Sequence, residues 1–202
     1  MRIGVACEDA PVTAVVTLLG RAGLDTTALA ASVSPALLDA GPDDWLLAPG
    51  ADLLAWCERG AVDAAVVGKD LLLELEPELP ELLDLRVCRD RLVYAVRTGA
   101  SRPRPRVATR YPKLTRRHFD LTGRQIETVG LGAAAALSPA LGAADGVVEL
   151  ESRLARLPLD LTVAEEVAPC TARLVASRGA RVLSAERLTE LVGRLRTLVE
   201  DA

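Results

Sequence analysis

The fold is decided by the stretch DLLAWCERGAVDAAVVGKD, residues 52–70. A helix predicted over its first half ends at Gly60, because glycine commonly closes a helix. Residues 62–68 follow as a short, nearly all-apolar run, which is typical of a buried strand. Lys69 and Asp70 stand directly at the carboxyl end of that run. Ligands of open α/β sheets collect beyond the carboxyl ends of strands, so this unit predicts an α/β fold and a site at these two residues.

The rest of the chain repeats this alternation of strands and helices. We predict strands at residues 2–6, 45–48, 91–97, 106–109, 125–130, 146–150, 161–167 and 171–177. We predict helices at residues 11–22, 114–121, 133–141 and 185–199. The pattern indicates an α/β protein with two lobes and a cleft between them. We place lobe I at residues 1–88 and 171–202, and lobe II at residues 89–170.

The composition excludes several classes of protein. The formal net charge of −4 provides no polycation for nucleic acid, and no apolar run is long enough to span a membrane. Acidic residues appear too early for a secretory signal. The four cysteines are scattered without a C-x-x-C pair, and His118 is the only histidine. We therefore expect a reduced cytoplasmic protein with no zinc site and no membrane or nucleic-acid partner.

Four segments together resemble the catalytic subunit of ATP phosphoribosyltransferase, the enzyme that opens histidine biosynthesis. They lie at residues 58–70, 81–85, 106–115 and 172–177, and the third, RVATRYPKLT, is the most specific. The length is similar to that of the short form, which works with a regulatory subunit similar to histidyl-tRNA synthetase. The resemblance implies two lobes like those of periplasmic binding proteins of type II, and a cytoplasmic homo-oligomer.

The resemblance also implies a reaction and its ligands. ATP and phosphoribosyl pyrophosphate would meet in the cleft, where adenine N1 attacks the anomeric carbon of the ribose, with Mg²⁺ required for the pyrophosphate. The positions that match ATP-binding ones are Lys69, Asp70, Arg89, Arg91, Arg110 and Tyr111.

Each of these positions also has a simpler interpretation. Asp70 is equally suited to capping a helix, and a capping role is compatible with a place at the cleft. The pair Arg110 and Tyr111 either meets a phosphate and a purine or forms an exposed turn before a proline. Arg89 and Arg91 either face ATP or carry solvated surface charge.

Four departures from the family pattern fall on the ligand side. The family's Pro-Lys-Gly-Arg after the first strand is replaced here by residues 6–9, which contain Glu8 and Asp9. A basic residue of the family is replaced by Pro49. The Asn-Gly-Ser-x-Glu segment is replaced by residues 132–136, which contain no polar side chain. The Thr-Gly-Thr-Thr-Leu loop that cradles the 5′-phosphate aligns with residues 153–157, RLARL, where only the leucine persists.

The last departure is the most consequential. A turn that wraps a phosphate needs small residues and accessible backbone N–H groups, and this one offers neither glycine nor a hydroxyl after Ser152. The positions that match the family's phosphoribosyl site are Glu149, Ser152, Arg153, Ala155 and Arg156. Glu149 matches an acid that meets the ribose hydroxyls, or is a strand-end carboxylate in water. Arg153 and Arg156 either bind an anion through guanidinium groups or are exposed charges on a remodelled helix.

Three hypotheses remain open, and the catalytic residues are unassigned. The chain is an active phosphoribosyltransferase with an altered donor site, a non-catalytic regulatory or scaffolding paralogue, or a protein whose cleft takes another small anionic ligand. The four substitutions argue that ordinary activity is impaired.

Overall fold

The computed structural model describes residues 1–7, 12–32, 35–40, 43–97 and 103–200. Glu8, Asp9 and most of the Pro/Arg-rich loop after residue 97 lie outside these ranges. The chain forms two compact units, one made of Met1–Arg89 with Thr171–Ala202 and the other of Asp90–Cys170. No helix among the described residues has both the length and the apolar character needed to cross a membrane.

The described ranges contain eleven strands and eight α-helices, which are numbered in chain order. The strands are β1 (Arg2–Ala6), β2 (Ala36–Ala40), β3 (Asp43–Ala48), β4 (Ala64–Gly68), β5 (Glu81–Asp84), β6 (Asp90–Arg97), β7 (Arg106–Thr109), β8 (Glu127–Gly130), β9 (Gly146–Leu150), β10 (Leu161–Cys170) and β11 (Ala172–Ala176). The helices are α1 (Val12–Arg21), α2 (Thr27–Ala31), α3 (Gly50–Glu58), α4 (Lys69–Leu75), α5 (Pro112–Leu121), α6 (Glu151–Leu154), α7 (Ala180–Leu183) and α8 (Ala185–Glu200).

The first unit is built on a six-stranded mixed sheet with the order β2-β3-β1-β4-β11-β5. Strands β3, β1 and β4 are parallel, whereas β11 runs antiparallel between β4 and β5. Trp45 is fully buried in its core, and its indole N–H donates to the Asp25 carbonyl at 2.8 Å. Helix α8 buries a stripe at helical spacing against the same core: Leu188, Leu191, Leu195 and Val199.

The second unit is built on a five-stranded mixed sheet with the order β10-β6-β9-β7-β8. Its central strand β9 is buried along its whole length. Strand β6 pairs with β9 antiparallel, with Leu92 opposite Leu150, and β7 pairs with β9 in parallel. This register fixes which residues meet at the end of β9.

The α/β prediction is confirmed, and several strands begin and end where the sequence indicated, including residues 2–6, 106–109 and 146–150. The helix predicted at residues 133–141 is wrong. The structure has a 3₁₀ turn at Ala135–Leu137 followed by irregular turns. Pro139 supplies no backbone N–H, and Gly142 has a φ of +68°, so the alanine-rich run does not continue as a helix.

Candidate functional site

The candidate site is the junction between β9 and α6 in the second unit. β9 ends at Leu150 in extended conformation, with φ −63° and ψ 133°, and α6 begins at once with Glu151. Helix α6 has only four residues and contains no glycine. Every residue of α6 therefore carries a side chain, unlike the small residues that a phosphate turn needs.

A carboxylate of the chain itself lies on this turn. Ser152 Oγ donates to Asp90 Oδ2 at 2.5 Å, and the Ser152 backbone N–H donates to Asp90 Oδ1 at 3.2 Å. Asp90 is the first residue of β6, and the β6–β9 register carries it alongside residue 152. Asp90 thus takes up the donors that a bound anion would otherwise use.

Glu149 and Arg153 form a second contact at the junction. Glu149 is fully buried, and its Oε1 accepts the Leu150 N–H at 3.0 Å. Arg153 Nε lies 3.9 Å from the same oxygen, and Arg153 Nη2 donates to the Ala133 carbonyl at 3.4 Å. The interpretation of Glu149 as a strand-end carboxylate in water is therefore wrong, and Arg153 is a partly buried ion-pair partner rather than an exposed charge.

The other two phosphoribosyl positions differ from Arg153. Ala155 and Arg156 are both exposed, beyond the end of α6. Their N–H groups bond to the carbonyls of Glu151 and Arg153, at 2.9 and 3.2 Å. These two N–H groups are thus used by the turn itself, and Arg156 fits the surface-charge interpretation.

Arg91 neighbours the junction on β6 and is held by two acids. Its Nε and Nη2 donate to the two carboxylate oxygens of Glu151 at 2.9 and 2.6 Å, and its Nη1 lies 3.6 Å from Glu166 Oε2. The hydrogen bonds and charge of Glu151, helped by Glu166, raise the pKa of the Arg91 guanidinium above its ordinary value. The positive charge of Arg91 is thus committed to neighbouring carboxylates.

The electrostatic character of the junction follows from these contacts. They bring together two guanidinium groups, of Arg91 and Arg153, and four carboxylates, of Asp90, Glu149, Glu151 and Glu166. Carboxylates outnumber guanidinium groups among these contacts, which disfavours a phosphate because like charges repel. Among the described residues, no group of three or more His, Cys, Asp or Glu is arranged to hold a metal ion.

Lys69 and Asp70 lie in the first unit, at the start of α4. Lys69 Nζ pairs with Glu81 Oε2 at 2.6 Å. Asp70 is buried, and a Cβ on Gly68 would stand 2.1 Å from its Oδ1. A side chain at position 68 would therefore displace the Asp70 carboxylate from the turn. The ammonium group of Lys69 already has a carboxylate partner.

Arg89 also belongs to the first unit, in an irregular segment before β6. Its Nε donates to the Arg86 carbonyl at 3.1 Å, and both Arg86 and Cys88 have positive φ, at 54° and 53°. Arg89 and Arg91 thus belong to different units, with only Asp90 between them along the chain.

Arg110 and Tyr111 stand in the second unit, between β7 and α5. The Tyr111 side chain is fully buried, its N–H donates to Thr109 Oγ1 at 2.9 Å, and the Arg110 guanidinium lies 5.8 Å from the Tyr111 ring centroid. The exposed-turn interpretation is thus wrong for Tyr111, whose ring is part of the packed interior.

Both strands of the junction were predicted from the sequence, but only some of the residues that meet there. Sequence reasoning identified Glu149, Ser152 and Arg153, and it assigned Arg91 to ATP, but it did not include Asp90, Glu151 or Glu166. The missed residues follow from a register that only the structure shows: the β6–β9 pairing with Leu92 opposite Leu150 places Arg91 opposite Glu151 and Asp90 opposite Ser152.

Comparisons with known proteins agree with one another. Residues 49–197 match the family model described as ATP phosphoribosyltransferase. The ATP phosphoribosyltransferase of Symbiobacterium thermophilum is 39% identical over 163 residues, which cover 77% of this chain and 74% of that protein.

Solved structures support the same fold. An ATP phosphoribosyl transferase (HisG:HisZ) complex from Thermotoga maritima matches with a TM-score of 0.79, at 19% identity and with 100% of both chains covered. The periplasmic aliphatic sulphonate binding protein SsuA from Escherichia coli matches with a TM-score of 0.61, at 13% identity over 96% of this chain and 70% of that one. At these identities the structural matches concern the fold alone.

Proposed function

This chain belongs to the ATP phosphoribosyltransferase family, and we propose that it serves the first step of histidine biosynthesis as a subunit whose own donor site no longer binds phosphoribosyl pyrophosphate effectively. The reaction of the family would join ATP and phosphoribosyl pyrophosphate into phosphoribosyl-ATP. In this proposal the chain keeps the family fold, while ordinary turnover by the chain alone is strongly impaired.

One observation carries the proposal: the Asp90 carboxylate accepts both the hydroxyl and the N–H of Ser152 at the turn where the family binds the 5′-phosphate. A phosphate placed there would have to displace a bonded carboxylate. It would also meet the excess of acid at the junction.

The expected loss of affinity is large. Charge-assisted hydrogen bonds contribute about 1.5–3 kcal/mol each. Losing three of them would weaken donor binding by roughly three to six orders of magnitude, since about 1.4 kcal/mol corresponds to a factor of ten. The buried Glu149 adds to this effect, because its Oε1 already contacts Arg153 and accepts the Leu150 N–H.

The residues that would bind ATP, and the use of Mg²⁺, are proposed from the family resemblance. Lys69, Asp70, Arg89, Arg91, Arg110 and Tyr111 are the ATP-side candidates, although Lys69 and Arg91 first need release from Glu81 and Glu151, and the ring of Tyr111 is buried and closed to a purine. Mg²⁺ would enter with the pyrophosphate of the donor, so the proposal places no resident metal in this chain. A cytoplasmic location and a partner similar to histidyl-tRNA synthetase belong to the same proposal.

The test compares this chain with the S. thermophilum transferase. Pyrophosphate release from ATP and phosphoribosyl pyrophosphate is measured for both proteins with Mg²⁺, with and without a synthetase-like subunit. We expect turnover at least a hundredfold lower for this chain, and no calorimetric signal for phosphoribosyl pyrophosphate at millimolar concentration. Turnover equal to that of the relative would overturn the proposal.

A set of variants separates the blocked turn from a general loss of the fold. Replacing residues 153–157 by Thr-Gly-Thr-Thr-Leu together with Asp90→Ala should increase donor binding, because it restores small residues and removes the competing carboxylate. Leu183→Asp is the matched control. Leu183 is an exposed residue of α7, about thirty residues after the turn along the chain, and its replacement should leave donor binding unchanged. If the restored turn still binds no donor, the remaining departures at Pro49 and residues 132–136 are enough to abolish the site.

A further inference from the structure

Two cations share one carboxylate beside the carboxyl end of β4. Lys69 Nζ lies 2.6 Å from Glu81 Oε2, and Arg173 Nη1 lies 2.8 Å from Glu81 Oε1. Each carboxylate oxygen of Glu81 therefore has its own cationic partner. The three side chains are between 20% and 31% exposed, so water and salt screen these contacts less than those of an open surface. The charges of this group thus affect any ligand that approaches Lys69.

Arg173 is fixed by contacts other than the one to Glu81. It stands on β11 opposite Asp84 of β5, and its Nη2 lies 3.0 Å from Asp84 Oδ2. Its Nε donates to Thr171 Oγ1 at 3.0 Å, and the Thr171 hydroxyl donates to Asp84 Oδ1 at 2.9 Å. The planar guanidinium thus joins two carboxylates in a fixed orientation. These contacts hold Arg173 in place whether or not Lys69 remains at Glu81.

Lys69 is the member of the group that can change partners. Its backbone is anchored, because its N–H donates to the Thr171 carbonyl at 3.0 Å. Its ammonium is carried on a flexible four-carbon chain, and Glu81 is its carboxylate partner. Ligands of open α/β sheets collect beyond the carboxyl ends of strands, which is where Lys69 stands. The ammonium can therefore exchange Glu81 for an anionic group without a change in the backbone.

The balance of charge shows what Arg173 contributes to that exchange. Lys69 and Arg173 together neutralise Glu81 and Asp84. When Lys69 leaves, Glu81 keeps the guanidinium as its partner. Without Arg173, Lys69 would be the one cation among these four side chains, and its release would leave two uncompensated carboxylates near the incoming anion. Arg173 thereby lowers the cost of releasing Lys69.

We propose that Arg173 is a positioning residue, which retains Glu81 so that the Lys69 ammonium can transfer to the phosphate groups of a nucleoside triphosphate. Glu81 is the resting partner of Lys69, and Arg173 acts through Glu81 without touching the ligand. This role rests on the proposed function, which counts Lys69 among the residues that bind ATP. It makes no use of the donor site, so ATP alone is enough to test it.

The first experiment measures the affinity for ATP with Mg²⁺ by calorimetry, in the absence of phosphoribosyl pyrophosphate. Arg173→Gln should weaken ATP binding roughly tenfold, because Glu81 then holds Lys69 as its one cation. Glu81→Gln should strengthen binding about threefold or more, because the amide keeps the shape of the side chain without its charge. Arg178→Gln is the matched control. Arg178 follows β11 and forms an exposed ion pair with Glu78 at 3.0 Å, so its replacement should leave the affinity unchanged.

A double variant separates positioning from a structural role. Arg173→Gln combined with Glu81→Gln should bind ATP within about twofold of Glu81→Gln alone, since Arg173 acts through the charge of Glu81. An arginine that merely supported the fold would weaken ATP binding equally in both backgrounds. Arg173→Lys restores the charge without the planar fork and should recover part of the affinity. Thermal unfolding curves verify that each variant is folded.

The second experiment follows the Lys69 amine directly. Lys69 and Lys113 are the two lysines of the sequence, so modification by an amine-selective acetylating reagent can be measured on two peptides. The exposed Lys113 is the internal reference when variants are compared. Glu81→Gln should speed the labelling of Lys69, because the amine no longer pairs with a carboxylate. ATP should protect Lys69 from the reagent, whereas adenosine, which lacks phosphates, should not.

Three results would each contradict the role of Arg173. They are an ATP affinity of Arg173→Gln equal to that of the unaltered chain, an equal loss in both backgrounds, and labelling of Lys69 that ATP does not change. If Arg173→Gln does not fold, Glu81→Gln must still bind ATP more tightly and label faster, and failure of either is decisive against the role. The proposed function is decided separately, because it concerns the binding and turnover of phosphoribosyl pyrophosphate, which none of these measurements includes.

Discussion

Among the residues that the structure describes, three with side chains have a left-handed backbone: Glu76, Arg86 and Cys88, with φ between 45° and 54°. Only glycine adopts this region without a steric cost, which is about 1–2 kcal/mol for other residues. Glu76 is the C-cap of α4, a position where glycine is the usual residue.

We therefore predict that Glu76→Gly stabilises the protein by roughly 0.5–1 kcal/mol, since relief of strain exceeds the added freedom of the unfolded chain. Urea unfolding measures the change. Gly60→Ala tests the opposite change, because it places a side chain at a residue with a φ of +73°. No atom lies within 4 Å of the new Cβ, so backbone strain alone should lower the unfolding free energy by about 1 kcal/mol. Equal stabilities for Glu76→Gly and Glu76→Ala would refute the strain argument.

The contact between Glu149 and Arg153 gives a second prediction at this scale. Arg153→Ala leaves a fully buried carboxylate without its guanidinium, and we expect a loss of about 2 kcal/mol of unfolding free energy, less than for a completely buried pair because Arg153 is partly exposed. Adding Glu149→Gln should recover most of the loss, because the charge itself is removed. A double-mutant cycle in urea measures the coupling, and additive effects would mean that the two side chains do not interact.

Asp84 links the stability of the first unit to pH. Partial burial is the largest single influence and raises its pKa, but the Arg86 N–H, the Thr171 hydroxyl and the guanidinium of Arg173 outweigh it and hold the pKa below the ordinary value of 3.8. A carboxyl whose pKa falls on folding stabilises the protein above its unfolded pKa, and this contribution disappears as the pH falls through the folded pKa.

Asp84→Asn should therefore lower the melting temperature at pH 7, and the difference from the unaltered chain should shrink as the pH drops below about 4. Melting curves from pH 7 to pH 2 provide the measurement. Asp160→Asn, on an exposed residue before β10, serves as the control. A difference that stays constant down to pH 2 would show that the charge of Asp84 is not responsible.

Among the elements, β9 depends on a close approach between strands. A Cβ on Gly146, its first residue, would stand 2.7 Å from Tyr94 Cε2 and 2.8 Å from the Ala95 carbonyl oxygen on β6. The carbonyl belongs to the paired backbone and cannot move away without breaking the β6–β9 register.

We expect Gly146→Ala to destabilise the protein by about 2–3 kcal/mol, the upper part of the range for overpacked interiors. Gly193→Ala is a control of opposite sign, because Gly193 lies within α8 with open space around it, and alanine in a helix gains roughly 0.5–1 kcal/mol over glycine. Chemical unfolding of both variants distinguishes the steric effect from helix propensity. A neutral Gly146→Ala would mean that β6 and β9 can separate locally.

The elements that the sequence predicted well are those with a strong pattern and clear ends. Helix α5 was predicted from residue 114 and begins at Pro112, and its end is fixed by Gly123 at a φ of +67°. The alanine-rich segment at residues 133–141 misled the prediction, because alanine has high helix propensity but Pro139 interrupts the hydrogen bonds. Helix α2 and strand β2 were missed because five-residue elements show less than two helical turns or too few alternations to establish a period.

The candidate site could be predicted only in part, because some of its residues meet through the pairing of distant strands. The absence of a phosphate turn after Ser152 could be seen directly in residues 153–157. What replaces the phosphate could not, because Asp90 is more than sixty residues away along the chain and reaches the turn through antiparallel pairing. The tertiary register decides which charges meet, and single-sequence patterns carry no register for strands so far apart.

At the scale of the whole molecule, the chain order and the spatial order differ in the first unit. Strand β11 comes after the entire second unit along the chain, yet it pairs with β4 on one side and β5 on the other. Helix α8 then completes the same core with four buried residues. The first unit therefore cannot bury its sheet without its C-terminal part.

This discontinuity predicts how the chain can be divided. The Val87 carbonyl accepts the Ala172 N–H at 3.0 Å, so the two points where the first unit is interrupted are neighbours. Replacing residues 90–170 by a short Gly/Ser linker should therefore give a soluble protein with a single cooperative unfolding transition, because the linker spans a small gap and no strand of the six-stranded sheet is removed.

Residues 1–89 alone are the matched control and should remain unfolded, since they lack β11 and leave the α8-facing side of the core in water. Circular dichroism and amide exchange measured on the two fragments decide the matter. Protection of β4 amides in the linked fragment, and its absence in residues 1–89, would show that β11 is what closes the sheet. A folded 1–89 fragment would mean instead that β4 and β5 can form a stable sheet without the strand that lies between them.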